Sequence, residues 1–147
     1  MTDDRVYVVI EQDESGYPPL DEEMIWATRT SDGFRLRNPP TFVRGLSAGD
    51  EVSVEPVGDR WYATDIIRFG GHSTIRVVLF DDRAHDRLEL LARSVGLTAD
   101  HTEINGFFAI DVPPEHSFAL IRELLREGQQ DGSWDVDEGS IADGHLP

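Results

Sequence analysis

Hydrophobic and polar positions change rhythm once along the chain, at Gly70-Gly71. Before that point short strand-like runs recur: Val6–Ile10, apolar throughout, Met24–Arg29 and Trp61–Phe69, with Phe34–Arg37 and Glu51–Glu55 alternating at a period of two. A two-residue period sends successive side chains to opposite faces, so each alternating run predicts a half-buried strand. Turn residues separate them, in Ser31-Asp32-Gly33, Ser47-Ala48-Gly49-Asp50 and Gly58-Asp59. Proline cannot donate to a ladder, so Asn38-Pro39-Pro40 and Pro56 are expected to end their strands. Glu11–Leu20, with Gly16, Pro18 and Pro19, predicts an exposed loop. Short strands with frequent turns predict a small antiparallel β-rich half, barrel-like, over residues 1–70.

After the glycines, strands alternate with helical periodicity. Ser73–Phe80 is a β-rich run with Ile75, Val77 and Leu79 on one face and Thr74, Arg76, Val78 and Phe80 on the other. Asp81 or Asp82 caps a helix whose apolar stripe is Ala84, Leu88, Leu91, Ala92 and Val95, and Gly96 ends it. Leu97–Ile104 predicts a polar strand, turned by Asn105-Gly106 in a tight hairpin into Phe107–Val112. A second helix starts near Glu115 or at Phe118 with Ser117 as cap, buries Phe118, Ile121, Leu124 and Leu125, and closes at Gly128 or Gly132. Ser133–Glu138 is a final strand, and residues 139–147 are expected to fray. The order β-α-β-β-α-β predicts a ferredoxin-like half over 71–147. In it Ser73–Phe80 and Phe107–Val112 are central, expected as parallel neighbours, and the two polar strands are edges. The fold class is therefore α+β, two halves hinged at Gly70-Gly71 in one compact unit.

Charge changes the picture next. Of 147 residues, 29 are acidic and 13 basic, for a net charge of −16, and every basic residue is arginine. Such a field repels phosphate backbones, which excludes general nucleic-acid binding. The acids crowd the ends, with eight in residues 1–25 and five in 131–147, around a balanced centre. There is no cysteine, which excludes thiolate sites and fits a reducing cytoplasm. No apolar run is long enough to span a membrane, and Met1–Arg5 lacks the layout of a secretory signal.

Several short stretches, in this order and spacing, resemble a bacterial family, the domain-of-unknown-function 4265 family. They are Leu36–Pro39, Gly45–Asp50, Gly71–Arg76, Asp111-Val112-Pro113-Pro114, and Glu127-Gly128 with Trp134. Pro40-Thr41-Phe42 departs from the family pattern, which has an aromatic residue directly after its proline. The resemblance implies the extent of the domain and a bacterial origin, and it brings no activity, cofactor or catalytic residue.

Candidate chemistry is sparse. His72 and Ser73 are adjacent in a strand, so they point apart and cannot pair as base and nucleophile. Together with Arg76 they mark a candidate site at the seam between the halves, against the alternative that His72 and Arg76 simply pin the halves together. Arg35, Arg37 and Arg44 form a candidate anion patch, against pairing with nearby carboxylates. His72, His101 and His116, with Asp100 and Asp111, lack the spacing of a ligand set, so no metal and no cofactor are expected. Asp135, Asp137 and Glu138 make an acidic edge suited to a basic protein partner. The function this favours is a non-enzymatic interaction or regulatory module; the alternative is a small-molecule binder or cryptic enzyme at the seam. Nothing in the sequence fixes an oligomeric state.

Overall fold

A computed structural model describes residues 4–146, so Met1–Asp3 and Pro147, with the expectations that touch them, lie outside the described residues. Five strands come first: β1 (Asp4–Val9), β2 (Glu22–Arg29), β3 (Phe34–Leu36), β4 (Glu51–Val57) and β5 (Arg60–Arg68). They close into a barrel in chain order, with each consecutive pair antiparallel. β5 returns beside β1 in parallel, Val6 opposite Trp61. The period-two pattern does the sorting: Val6, Ile25, Ala27, Phe34, Leu36 and Val52 fill the interior. Closure leaves no open edge in this half.

The second half holds β6 (Ser73–Leu79), α1 (His85–Ser94), β7 (Ala99–His101), β8 (Phe107–Val112), α2 (Phe118–Gln130) and β9 (Trp134–Ser140). The four strands form an antiparallel sheet in the order β7-β8-β6-β9, so the two apolar strands are central, as their composition predicts. Ile75 and Val77 of β6 pack with Leu88 and Ala92 of α1 and with Ile121 and Leu125 of α2. Ser117 caps α2 by accepting from the Leu120 N–H at 3.2 Å. Gly128 lies inside α2, and a Cβ there would sit 2.0 Å from the Trp134 ring, so glycine is what lets helix and strand meet. The chain is α+β, a closed five-stranded barrel with a separate four-stranded sheet and two helices. Among the described residues no helix is long and apolar enough to cross a membrane.

Five local expectations are corrected. β6 and β8 run antiparallel, because the helical crossover brings β7 in along β6 and the following hairpin reverses the chain between them. β7 spans only Ala99–His101, and residues 102–106 make a wider loop. Its last turn is closed by Phe107 N–H to Ile104 C=O at 3.1 Å, with Gly106 alone at positive φ (76°), so it is not the tight hairpin turn that needs two such residues. Pro56 does not end β4; it pairs with Trp61 near the tip of the β4–β5 hairpin. Residues 139–146 do not fray, since β9 runs to Ser140 and a short 3₁₀ turn at Asp143–His145 packs back on the sheet.

Candidate functional site

The barrel rests on the sheet face opposite the helices, and the residues of that seam come from both halves. Arg76 of β6 is only 3% exposed. Its Nη2 donates to the Val43 carbonyl, its Nη1 lies 3.4 Å from the Phe42 carbonyl, and Asp137 is an ion-pair partner at 3.6 Å. A Cβ on Gly139 would lie 2.7 Å from the guanidinium carbon, so the arginine needs a glycine beside it. Burial draws the Arg76 pKa below the ordinary arginine value, against the carboxylates of Asp137 and Glu23. Glu23, buried on the inward side of β2, accepts from the backbone N–H groups of Thr41, Phe42 (2.9 Å) and Val43 (3.2 Å). The 41–43 segment is thus held between a carboxylate on its N–H groups and a guanidinium on its carbonyls. That clamp shapes the 41–43 loop.

His72 lies beside Gly49 of the barrel, and its Nδ1 meets the Asp111 carboxylate at 2.9 Å. Burial pushes the Asp111 carboxyl above its ordinary range despite the His72 bond. Asp50 is raised for the same first reason, although it accepts from the N–H groups of Ser47 (2.9 Å) and Gly70 (2.8 Å). The Gly70-Gly71 link is therefore tied down at its first residue. Ser47 and Thr74 share a buried hydroxyl–hydroxyl bond of 2.7 Å across the same seam.

Ser73 points away from His72, as alternation requires. Its Oγ accepts from the Ala142 N–H at 2.8 Å and lies 2.6 Å from Nδ1 of His145. Nε2 of His145 is 3.0 Å from the Pro113 carbonyl, which can only accept, so Nε2 carries a proton, and in the neutral ring Ser73 donates to Nδ1. This pair clasps the C-terminal turn. Of the three predicted seam residues, His72 and Arg76 face the barrel and Ser73 does not join them.

The remaining candidates are dispersed. Arg44 pairs with Asp137 at 2.6 Å on the seam, while Arg35 and Arg37 are exposed on and just beyond β3 of the barrel. Arg35 stands opposite Glu51. In the acidic edge, Asp137 is engaged by both Arg44 and Arg76, and Glu138 is held by both sides of the Arg122 fork at 2.7 and 2.8 Å. Asp135 is exposed and accepts from the neighbouring Val136 N–H. His101 lies on β7, and His116 sits by Glu115 and next to Gly96, so neither joins His72.

Two clefts flank the seam. One, of about 660 Å³, has Tyr17, Phe42, Val78 and Phe107 among its walls, with Glu11, Arg44, Arg76, Asp135 and Asp137. The other, of about 800 Å³, has Tyr7, Leu20, Met24, Trp26 and Ile104, with Glu22, Arg60 and Glu103. Both reach Thr41 and Phe42, so the clamped loop is the ridge between them. Tyr17, Phe42 and Phe107 form an aromatic line, with ring centroids 6.4 and 5.6 Å apart. Sequence reading missed Glu23 and the loop it fixes, although a glutamate in phase with inward Ile25 and Ala27 was the available signal.

A small closed barrel packed on a four-stranded sheet with two helices is the class this geometry defines. The family model for a domain of unknown function (DUF4265) matches residues 23–136, and the chain belongs to that family. The chain is also similar to a crystal structure of a hypothetical protein from Neisseria gonorrhoeae. That likeness has a TM-score of 0.81 over 97% of each chain at 17% identity, and it concerns the fold. No curated protein matches the chain.

Proposed function

We propose that the protein is a non-enzymatic interaction module that receives a basic, apolar-bearing segment of a protein partner across the two clefts. One observation carries this reading. Every arginine lining the clefts is engaged within the chain: Arg44 and Arg76 by Asp137, and Arg60 by Glu22 at 2.6 Å. Glu11, Glu103 and Asp135 form no ion pair among the described residues, so the charge left along the apolar walls is negative. A cationic partner would be steered there by a chain of net charge −16. The acidic edge contributes through Asp135, since Asp137 and Glu138 already hold arginines of the same chain.

The remaining finer readings rest on the same observations. The division at Gly70-Gly71 into halves 1–70 and 71–147 is supported by a barrel whose last strand ends at Arg68 and a sheet that starts at Ser73. A ferredoxin-like arrangement of the second half is supported by two central apolar strands and by helices sharing one core with them. A cytoplasmic location fits the cysteine-free composition. The seam as a ligand site gains little support, because the groups around His72 and Arg76 bond to one another and to backbone.

The test compares association rates with the captured partner at two salt concentrations. Glu11→Gln, Glu103→Gln and Asp135→Asn together should slow association on the order of tenfold at low salt and flatten its salt dependence. His72→Ala should leave the rate nearly unchanged. A partner that ignores salt and the triple variant, yet is lost with His72→Ala, would sink the module reading and point to the seam.

A further inference from the structure

We propose that His85, Glu89 and His101 form a binding site for one divalent cation of the zinc class. His85 opens α1, and Glu89 stands four residues on, on the same helix face. His101 reaches the same place from the edge strand β7, on the side where Ala99 enters the core. One ligand atom from each of the three residues lies within 4.8 Å of the others, and Nε2 of His85 is 3.3 Å from a Glu89 carboxylate oxygen.

That last distance is the edge of a tetrahedron. Zinc bonds of about 2.0–2.2 Å to nitrogen and oxygen put neighbouring ligand atoms about 3.3–3.5 Å apart. Nε2 of His85 is closed off from solvent and makes no hydrogen bond, although the carboxylate oxygen is close. That buried nitrogen is left without a partner, and a cation would supply one. Both imidazoles are braced, since the rings of His85 and His101 lie against Phe108 with centroids 5.1 and 4.7 Å away.

Two imidazoles and one carboxylate are the donor set for a borderline metal, and three protein ligands leave a fourth position open. That position faces out, because His101 is exposed and Glu89 half-buried. The sequence signal was His85-x-x-x-Glu89, one turn of helix; a search for paired histidines passes over it.

The test titrates the full chain with zinc sulfate by calorimetry, and with cobalt(II), whose visible absorption reports four-coordination. One equivalent should bind per chain. His101→Ala, a change at an exposed position that leaves the fold intact by circular dichroism, should weaken binding at least about tenfold and abolish the cobalt band. Glu89→Gln should weaken it as well, and His116→Ala, outside the trio, should not. Zinc that fails to bind, or binds His101→Ala and Glu89→Gln as tightly as wild type, would overturn the site.

Discussion

Replacing Gly128 with alanine sets two well-understood effects against each other. In an exposed helix the change gains up to about 1 kcal/mol, because alanine is the better helix former. Here the added methyl would lie 2.0 and 2.1 Å from Cε2 and Cζ2 of Trp134, where contact between carbons needs about 3.5–4.0 Å. The tryptophan has nowhere to go. It is 1% exposed, its Nε1 donates to the Leu125 carbonyl at 2.9 Å, and its backbone is paired to Leu79 in β6.

Relief requires α2 to lift from the sheet or the indole to tilt and strain its hydrogen bond. Overpacking of this kind costs about 1–3 kcal/mol and a weakened buried bond about 1 kcal/mol more. Against the propensity gain, the net loss is about 2 kcal/mol, or a melting temperature lower by roughly 4–8 °C for a chain of this size. Scanning calorimetry or urea denaturation reads it. The double variant with Trp134→Phe, which removes the ring atoms that clash, should recover at least about 1 kcal/mol in a double-mutant cycle. A single variant that melts higher than wild type would mean that Gly128 is an ordinary helix glycine and that the packing argument is wrong.

Two further outcomes are expected. Burial holds the folded Asp111 carboxyl above the ordinary 3.8, so folding stability falls as pH rises from there through the folded value. Asp111→Asn lacks that fall and should gain on wild type across the window; a difference in urea stability that stays constant from about pH 3.5 to 7 would refute it. His145→Ala opens the clasp on Ser73 and Pro113, costing about 1–2 kcal/mol, and should expose the residues after Ser140 to carboxypeptidase, which unchanged digestion would contradict.

The fold was legible where side-chain period decides it. Alternation in Phe34–Leu36 and the stripe Ala84, Leu88, Ala92 are local patterns that burial then respects, whereas Ser73–Val77 is buried on both faces because the barrel covers the side away from the helices. Direction and termini were less legible, because they depend on what packs elsewhere. The antiparallel sense of β8 follows from the hairpin before it, and the order of the C-terminal turn follows from Ser73, 72 residues upstream of His145. The candidate site divides along the same line. His72 and Arg76 stood out as polar residues in an apolar strand, whereas the pairing of His72 with Asp111 and the hold of Glu23 on the 41–43 loop join residues 39 and 19 apart in the chain, which no local pattern connects.

Those distant bonds bear directly on what the clefts can do. Each cleft takes walls from both halves, Phe42 facing Phe107 in one and Trp26 sharing the other with Ile104. Their shape therefore exists only while the barrel is held in one orientation on the sheet. An apolar seam would permit sliding, because hydrophobic contact is non-directional. This seam is fixed by directional contacts instead: Arg76 to the Phe42 and Val43 carbonyls, Ser47 to Thr74, Arg44 to Asp137, and the Gly45 N–H to the Gly139 carbonyl. Under the proposed function, a partner would meet walls already in place and need not supply the free energy of ordering them. The buried charges of the seam are thus spent on orientation, which is why the proposed function rests on the acids of the rim that hold no arginine.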